Sequence, residues 1–301
     1  MDIEWLEDFI ALIDHGSFSR AAEARSVSQP TFSRRIRSLE KWVGTTLVDR
    51  TTHTLRLTPA GERFRTVAEE TLRRLRVGRN EVRLLARASS KTLRLASTHV
   101  LSMTFFPAWL RQMDLESPTN GTMELTADNM VACEKRMVEG KSQFLLCHHH
   151  PAAATRMDAD FRSIRLGEDL LIPVLSPELA ERYALNAAPQ LAFTEESGMG
   201  RILKAAWLAS GRRPPRRPIF SSHLASVLVE MARDGRGATW TARSLVEDDL
   251  ESGRLVHAGT PEDDIPIEIR LWRAKARQAP VAERFWEKVK KRCPEGKVAF
   301  P

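Results

Sequence analysis

The chain has 301 residues, 42% of them hydrophobic, with 46 Lys and Arg against 39 Asp and Glu; that length points to two or three domains, and the basic surplus suits a polyanionic partner. The surplus is densest in residues 1–90, where 16 basic residues face 12 acidic ones. Three widely spaced cysteines (Cys133, Cys147, Cys293) exclude a disulfide framework, no run reaches the roughly 18 apolar residues of a membrane span, and the acidic start MDIEWLEDFIALIDHG excludes a signal peptide, so a cytoplasmic protein is expected.

Ile3, Leu6, Phe9, Ile10 and Ile13 fall on one helical face that ends at Gly16. Ser17 or Ser19 then opens a short helix through Ala21, Ala22 and Ala24, whose small side chains allow close packing. Ser28 is expected to cap a third helix with Pro30 in its first turn, Phe32, Ile36 and Leu39 inward, and Gly44 at its end. Three helices with a short link between the second and third read as a helix-turn-helix. The short runs 47–50 and 55–57, around the tip Thr51-Thr52-His53, read as a β-hairpin wing.

From Thr58 as N-cap and Pro59, a helix is expected to run to about residue 88. Phe64, Val67, Ala68, Thr71, Leu72, Leu75, Val82 and Leu85 recur on it at spacings of three, four and seven, a stripe that a second copy of the helix would cover. Ala88-Ser89-Ser90 reads as a hinge. Beyond it, strands at 92–97, 123–127 and 144–147 alternate with helices at 103–113 and 131–139, which implies parallel βαβ units. A second unit starts near Gly167 with a strand at 170–175, helices after Gly198 and at 224–234, and a strand at 238–241; a strand at 266–272 and a helix at 281–292 close the chain. Residues 212–218 (RRPPRRP) read as loop.

Phe18-Ser19-Arg20-Ala21-Ala22, the run from Val27 to Glu40 (VSQPTFSRRIRSLE), Gly44, Leu47, Arg50 and Leu57-Thr58-Pro59-Ala60-Gly61 together resemble the LysR-type transcriptional regulators. The resemblance spans the chain in architecture and is sharpest in the first 65 residues. It implies an α/β protein with an N-terminal winged helix-turn-helix (1–58), a linker and dimerisation helix (59–90) and a two-lobed, periplasmic-binding-protein-like effector domain (91–301). Lobe I would comprise 91–166 and 267–301, and lobe II 167–266. It also implies a homodimer or homotetramer on double-stranded promoter DNA, with RNA polymerase as a further partner. Ser197-Gly198-Met199-Gly200-Arg201, Ser221-Ser222, residues 232–237 with Trp240, and residues 280–286 (PVAERFW) resemble the hypochlorite-responsive members. Of the methionine positions tied to oxidant sensing in that subgroup, Met113 and Met199 have counterparts here, while His223 stands at the third.

Within the third helix, Gln29 is expected to read a base edge, since its amide both donates to and accepts from adenine, and Pro30 to touch a thymine methyl. Ser28, Thr31, Ser33, Arg34 and Arg37 suit phosphates or guanine, and Arg50 the backbone from the wing. Strand ends and helix N-termini of a two-lobed fold favour an anion. Ser97, Thr98, His99, Ser102 and His148 are therefore expected from the first lobe, and Ser197, Met199 and Thr241 from the second. Met199, between two glycines, is expected to be exposed and oxidisable. His148-His149-His150 is not expected to bind metal, because neighbours on an extended chain alternate faces. The effector is either a small organic acid or an oxidant or small anion such as chloride or hypochlorite. An enzyme is the remaining class, but no nucleophile elbow, P-loop, HExxH or GxGxxG is present, and no cofactor is expected.

Overall fold

The computed structural model describes residues 2–49, 55–86, 92–113, 122–157, 160–211 and 218–292. Arg50, the wing tip Thr51-Thr52-His53, the hinge Ala88-Ser89-Ser90, most of the arginine–proline loop and Cys293 lie outside them. The chain divides into two compact units, Met1–Asn80 and Glu81–Pro301.

In the first unit, α1 (Ile3–His15) closes on Gly16, whose φ of 61° is the left-handed conformation that glycine adopts without strain. α2 (Phe18–Ala24) and α3 (Gln29–Val43) follow. Between them Ser26 holds a φ of 54°, the tight corner that turns the chain. Leu6, Phe9, Leu12, Ala21, Ala22, Phe32, Ile36 and Leu39 share one core with Leu47 and Val48 of the wing and with Ala68 and Leu72. The wing pairs β1 (Val48–Asp49) antiparallel with β2 (Arg56–Leu57). Buried Glu40 of α3 accepts from the Leu47 and Val48 backbone N–H groups at 3.0 and 3.2 Å, fixing the wing to the helix. Thr58 accepts from the Gly61 N–H at 3.0 Å and so starts α4 (Pro59–Ala86).

The second unit has a core sheet in which β3 (Leu93–Thr98) runs parallel to β4 (Met123–Asp128) and β5 (Phe144–His149). The parallel pattern expected throughout stops there. β6 (Phe161–Leu175) and β11 (Ile265–Ala274) pair antiparallel along their length, and β11 pairs antiparallel with β5. β9 (Thr239–Ala242) and β10 (Val256–His257) add antiparallel edges to β6. β6 starts nine residues before the segment expected at 170, because it passes from one core to the next: Leu166 packs in one and Leu171 in another. β11 does the same with Ile269 and Ile267. Two long strands crossing in opposite directions make a two-lobed body with a double connection.

Lobe I packs α6 (Phe106–Gln112) and α12 (Pro280–Arg292) on one face of the sheet, through Trp109, Phe285 and Trp286. α7 (Met130–Val138) covers the other face. The single helix expected at 103–113 is two, with α5 (His99–Met103) before α6. Pro107 lacks the N–H that would bond the Met103 carbonyl, so the helix breaks there. Lobe II holds α8 (Pro177–Arg182), α9 (Gly198–Ala209), α10 (Ala225–Arg233) and α11 (Arg243–Glu251), with the parallel pair β7 (Leu191–Phe193) and β8 (Phe220–Ser222). Among the described residues no helix is long and apolar enough to cross a membrane.

Candidate functional site

Two regions gather polar chemistry. The first is the N-terminal half of α3, where Phe32, Ile36 and Leu39 turn inward. The opposite positions Ser28, Gln29, Pro30, Arg34 and Arg37 are exposed, and Thr31 and Ser33 are half-buried beside them. Pro30, Ser33, Arg34 and Arg37 fall at spacings of three, four and seven, one helical face. Ser28 occupies the N-cap position, but its side chain makes no capping bond. Pro30 has removed one of the two N–H groups a cap would serve, and Ser28 Oγ donates instead to Thr31 Oγ1 at 2.9 Å. Gln29 Nε2 donates to Ser33 Oγ at 3.3 Å and Arg34 Nη2 to Thr31 Oγ1 at 3.1 Å. These are weak local contacts at an exposed surface, easily exchanged for another partner. Arg35, one residue on, is different. It pairs with Glu4 at 2.5 Å and with fully buried Asp8 at 3.3 Å, alongside Arg25 on the same carboxylate at 2.8 Å.

The second region is a cleft between the lobes of the second unit. Thr98 and His99 enter it from the end of β3, Asp128, Asn129 and Met130 from the β4–α7 corner, and His148 from β5. Lobe II contributes Phe193, Ser197, Gly198, Met199, His223 and Ala225. The space open to the centre of a water-sized sphere is about 40 Å³, room for a few waters or one small ion. The first turns of α7, α9 and α10 line it. Asn129 caps α7 by accepting from Ala132 N at 3.0 Å, and Ser197 caps α9 by accepting from Gly200 N at 3.4 Å. Their remaining N–H groups and helix dipoles favour negative charge. Among the described residues, buried Thr98 Oγ1 has no hydrogen-bond partner, and buried His148 Nε2 has only its contact with Asp169.

Behind the cleft, His148 Nε2 lies 3.5 Å from Asp169 Oδ2. Burial pushes the Asp169 carboxyl up, but His148 and the Ser244 hydroxyl, at 2.6 Å, outweigh it and hold the group below the usual carboxylate range. Buried Glu134 of α7 accepts twice from Arg201 of α9, at 3.0 and 2.9 Å, and so ties lobe I to lobe II beside the cleft. A larger hollow of about 680 Å³ opens near Arg165, Asp169, Arg243 and Glu268. Its cations are already matched by carboxylates, Arg165 with Glu168 at 2.8 Å and Arg243 with Glu247 at 3.4 Å.

Of the eight expected effector residues, the cleft brings together Thr98, His99, His148, Ser197 and Met199. Three stand elsewhere. Ser97 is fully buried and donates to the Thr98 carbonyl at 3.1 Å, Ser102 donates to the His99 carbonyl at 2.7 Å, and Thr241 is sealed inside β9. Alternation along a strand turns Ser97 and Thr98 to opposite faces, and only Thr98 reaches the cleft. Met199 is not exposed as expected: it is 6% accessible, because it shares the inward face of α9 with Ile202 and Leu203. Met113 lies 3% accessible in the lobe I core with Trp109 and Phe285, away from the cleft lining. Asp128, Asn129 and Met130 were missed; an Asp-Asn pair after a strand and before a helical pattern was the signal for a capped helix start. The buried thiols are held protonated, Cys133 pushed up to about 12 by burial and Cys147 pushed up further by the same cause. His149 packs edge-on to Trp272, and His150 Nδ1 accepts from Ala152 N at 3.2 Å. Among the described residues no three His, Cys, Asp or Glu side chains stand close enough to hold a metal ion.

A winged helix-turn-helix unit and a two-lobed body with an interlobe cleft are the parts of a DNA-binding transcriptional regulator. Residues 3–62 match the model for the bacterial regulatory helix-turn-helix proteins of the lysR family, and residues 86–294 match the LysR substrate binding domain. The chain belongs to the LysR family of DNA-binding transcriptional regulators. It is 31% identical over 294 residues to the HTH-type transcriptional regulator YjiE of Escherichia coli K12, covering 96% of this chain and 94% of that one. The full-length structure of HypT from Salmonella typhimurium, a hypochlorite-specific LysR-type regulator, is 31% identical with a TM-score of 0.56, covering 97% and 98% of the two chains. The bromide-bound regulatory domain of the same protein is 28% identical with a TM-score of 0.55, covering 66% of this chain and 94% of that one.

Proposed function

We propose that this regulator's hold on promoter DNA is set by a small anion or an oxidant admitted to the interlobe cleft. The observation that carries the reading is the cleft itself: an opening of about 40 Å³, lined by three histidines and the first turns of three helices. That space suits a halide, hypochlorite or a carboxylate of one or two carbons. Thr98, His99, His148, Ser197 and Met199 form the effector set. The similarity to a hypochlorite-specific regulator and to a bromide-bound regulatory domain supports the same class of ligand. Met199, shielded from bulk solvent but lining the cleft, is the thioether an oxidant would meet there; Met113 takes no part.

On the DNA side, Gln29 reads a base edge, Pro30 packs against a thymine methyl, and Ser28, Thr31, Ser33, Arg34 and Arg37, with Arg50 from the wing, hold phosphates or guanine. The working division is 1–58 for DNA, 59–90 for dimerisation and 91–301 for sensing, in a cytoplasmic homodimer or homotetramer that contacts RNA polymerase and catalyses no reaction. Sequencing the DNA bound in cells before and after hypochlorite treatment tests this, with mass spectrometry of Met199 and a melting screen with bromide, formate and larger organic acids. A changed binding pattern with Met199 oxidation or a bromide-induced melting shift supports the reading. A shift only with larger acids, and binding blind to oxidant, would overturn it.

A further inference from the structure

Among the described residues, the lining of the cleft holds three imidazoles and one carboxylate, Asp128, with no lysine or arginine. With all three imidazoles neutral, the side chains present a negative charge to an incoming anion, against only the helix dipoles. His99, at the start of α5 in lobe I, and His223, after β8 in lobe II, face each other across the opening with ring centroids 6.1 Å apart. His223 is exposed at the mouth and His99 half-buried. Among the described side chains lining the cleft, only these and His148 can become positive.

We infer that the cleft takes up protons together with its anion, held between the imidazolium groups of His99 and His223, one from each lobe. This rests on the anion reading above and adds its regulation: occupancy follows acidity as well as anion concentration. The charged groups facing the pair work in both senses. Asp128 on the β4–α7 corner and Glu196 ahead of α9 carry negative charge, which attracts protons to the site and opposes the anion. Asp169 adds a further carboxylate behind His148, 3.5 Å from its Nε2. The Glu134–Arg201 pair adjoining the cleft is internally neutralised. Protonation therefore reverses the sign of the site, and because the two rings belong to different lobes, an anion between them draws the lobes together.

The test is calorimetric titration of the full chain with bromide and, separately, formate, at constant ionic strength held with a bulky sulfonate. Runs at several pH values between about 5.5 and 8, the range where histidine ordinarily changes charge, are repeated in two buffers of different ionisation enthalpy. The expected result is affinity rising roughly tenfold for each pH unit of acidification per linked proton, with about one to two protons taken up per anion. His99→Gln and His223→Gln should each weaken binding and lower the proton count. Buffer-independent heats with pH-independent affinity would overturn proton uptake while leaving anion binding intact. Absence of bromide and formate binding at every pH would instead overturn the anion reading beneath it.

Discussion

Arg34 and Arg35 are adjacent arginines with opposite employment, and the difference is one of environment. Arg35, with Arg25, neutralises fully buried Asp8, and it pairs with Glu4 at the start of α1; Arg34 is exposed and, among the described residues, donates to a threonine hydroxyl. Arg34→Ala should therefore leave the melting temperature nearly unchanged, weaken binding to all duplexes alike, and lower the salt dependence of binding by about one counterion. Arg35→Ala should lower stability by about 1–3 kcal/mol, because buried Asp8 keeps Arg25 but loses one of its two charged donors. An unchanged salt slope in the first variant would remove Arg34 from the phosphate contacts. Gln29→Ala should act differently again, relaxing discrimination at one base pair by about 1–3 kcal/mol in a competition assay. Glu283 illustrates the same dependence on surroundings. Its bonds from buried Arg273, at 2.8 and 2.7 Å, hold its carboxyl below the usual range against the opposing effect of burial. A depressed carboxylate stabilises the fold above its unfolded value and loses that contribution as pH falls through its folded one. Glu283→Gln should thus melt lower at neutral pH and show a flatter decline below about pH 4; parallel acid limbs would exclude the pair as a stability determinant.

Whole elements were readable where their signals are local. The helix-turn-helix follows from apolar spacing, two terminal glycines and a proline within some 40 residues, so its helices stand where the pattern puts them. β6 was half missed because its first nine residues alternate only weakly, and its length is required by a second lobe that no local pattern announces. The cleft set was found where it sits at a strand end or a helix cap. It was missed at His223, whose proximity to His99 depends on how two lobes meet. α4 carries a further consequence. Val67, Leu75 and Val82 remain exposed on it while Ala68 and Leu72 join the core of the first unit, which leaves an apolar edge for a second copy. Val67→Glu with Leu75→Glu should shift sedimentation toward monomer and weaken promoter binding at least tenfold, since each winged helix would then act alone. An unchanged oligomeric state would assign the stripe another role. Gly61 at the head of α4 admits no substitute: a Cβ there would lie 2.0 Å from the Leu47 carbonyl oxygen.

At the scale of the molecule, the cleft is bordered by contacts that belong to neither lobe alone. Gly198 of α9 lies so near α7 that a Cβ on it would come 3.3 Å from the Met130 Cβ. Four residues on in α7, Glu134 meets Arg201 of the other lobe and also accepts from the Arg156 backbone N–H at 3.2 Å. A fully buried carboxylate with a quarter-exposed guanidinium across a lobe boundary is a closure that is strong when made and costly when half removed. Arg201→Ala should lower stability by about 3 kcal/mol, because removing one partner of a buried pair leaves the other uncompensated. Glu134→Gln in the same chain should recover part of that loss, the non-additivity expected of groups in direct contact. If the pair also sets how far the lobes stand apart, both single variants should weaken bromide binding while leaving its dependence on pH as in the parent, since the titrating rings are untouched. Equal bromide affinity in parent and variants, with the stability loss present, would mean that the bridge supports the fold and that closure of the cleft is governed by the ligand alone.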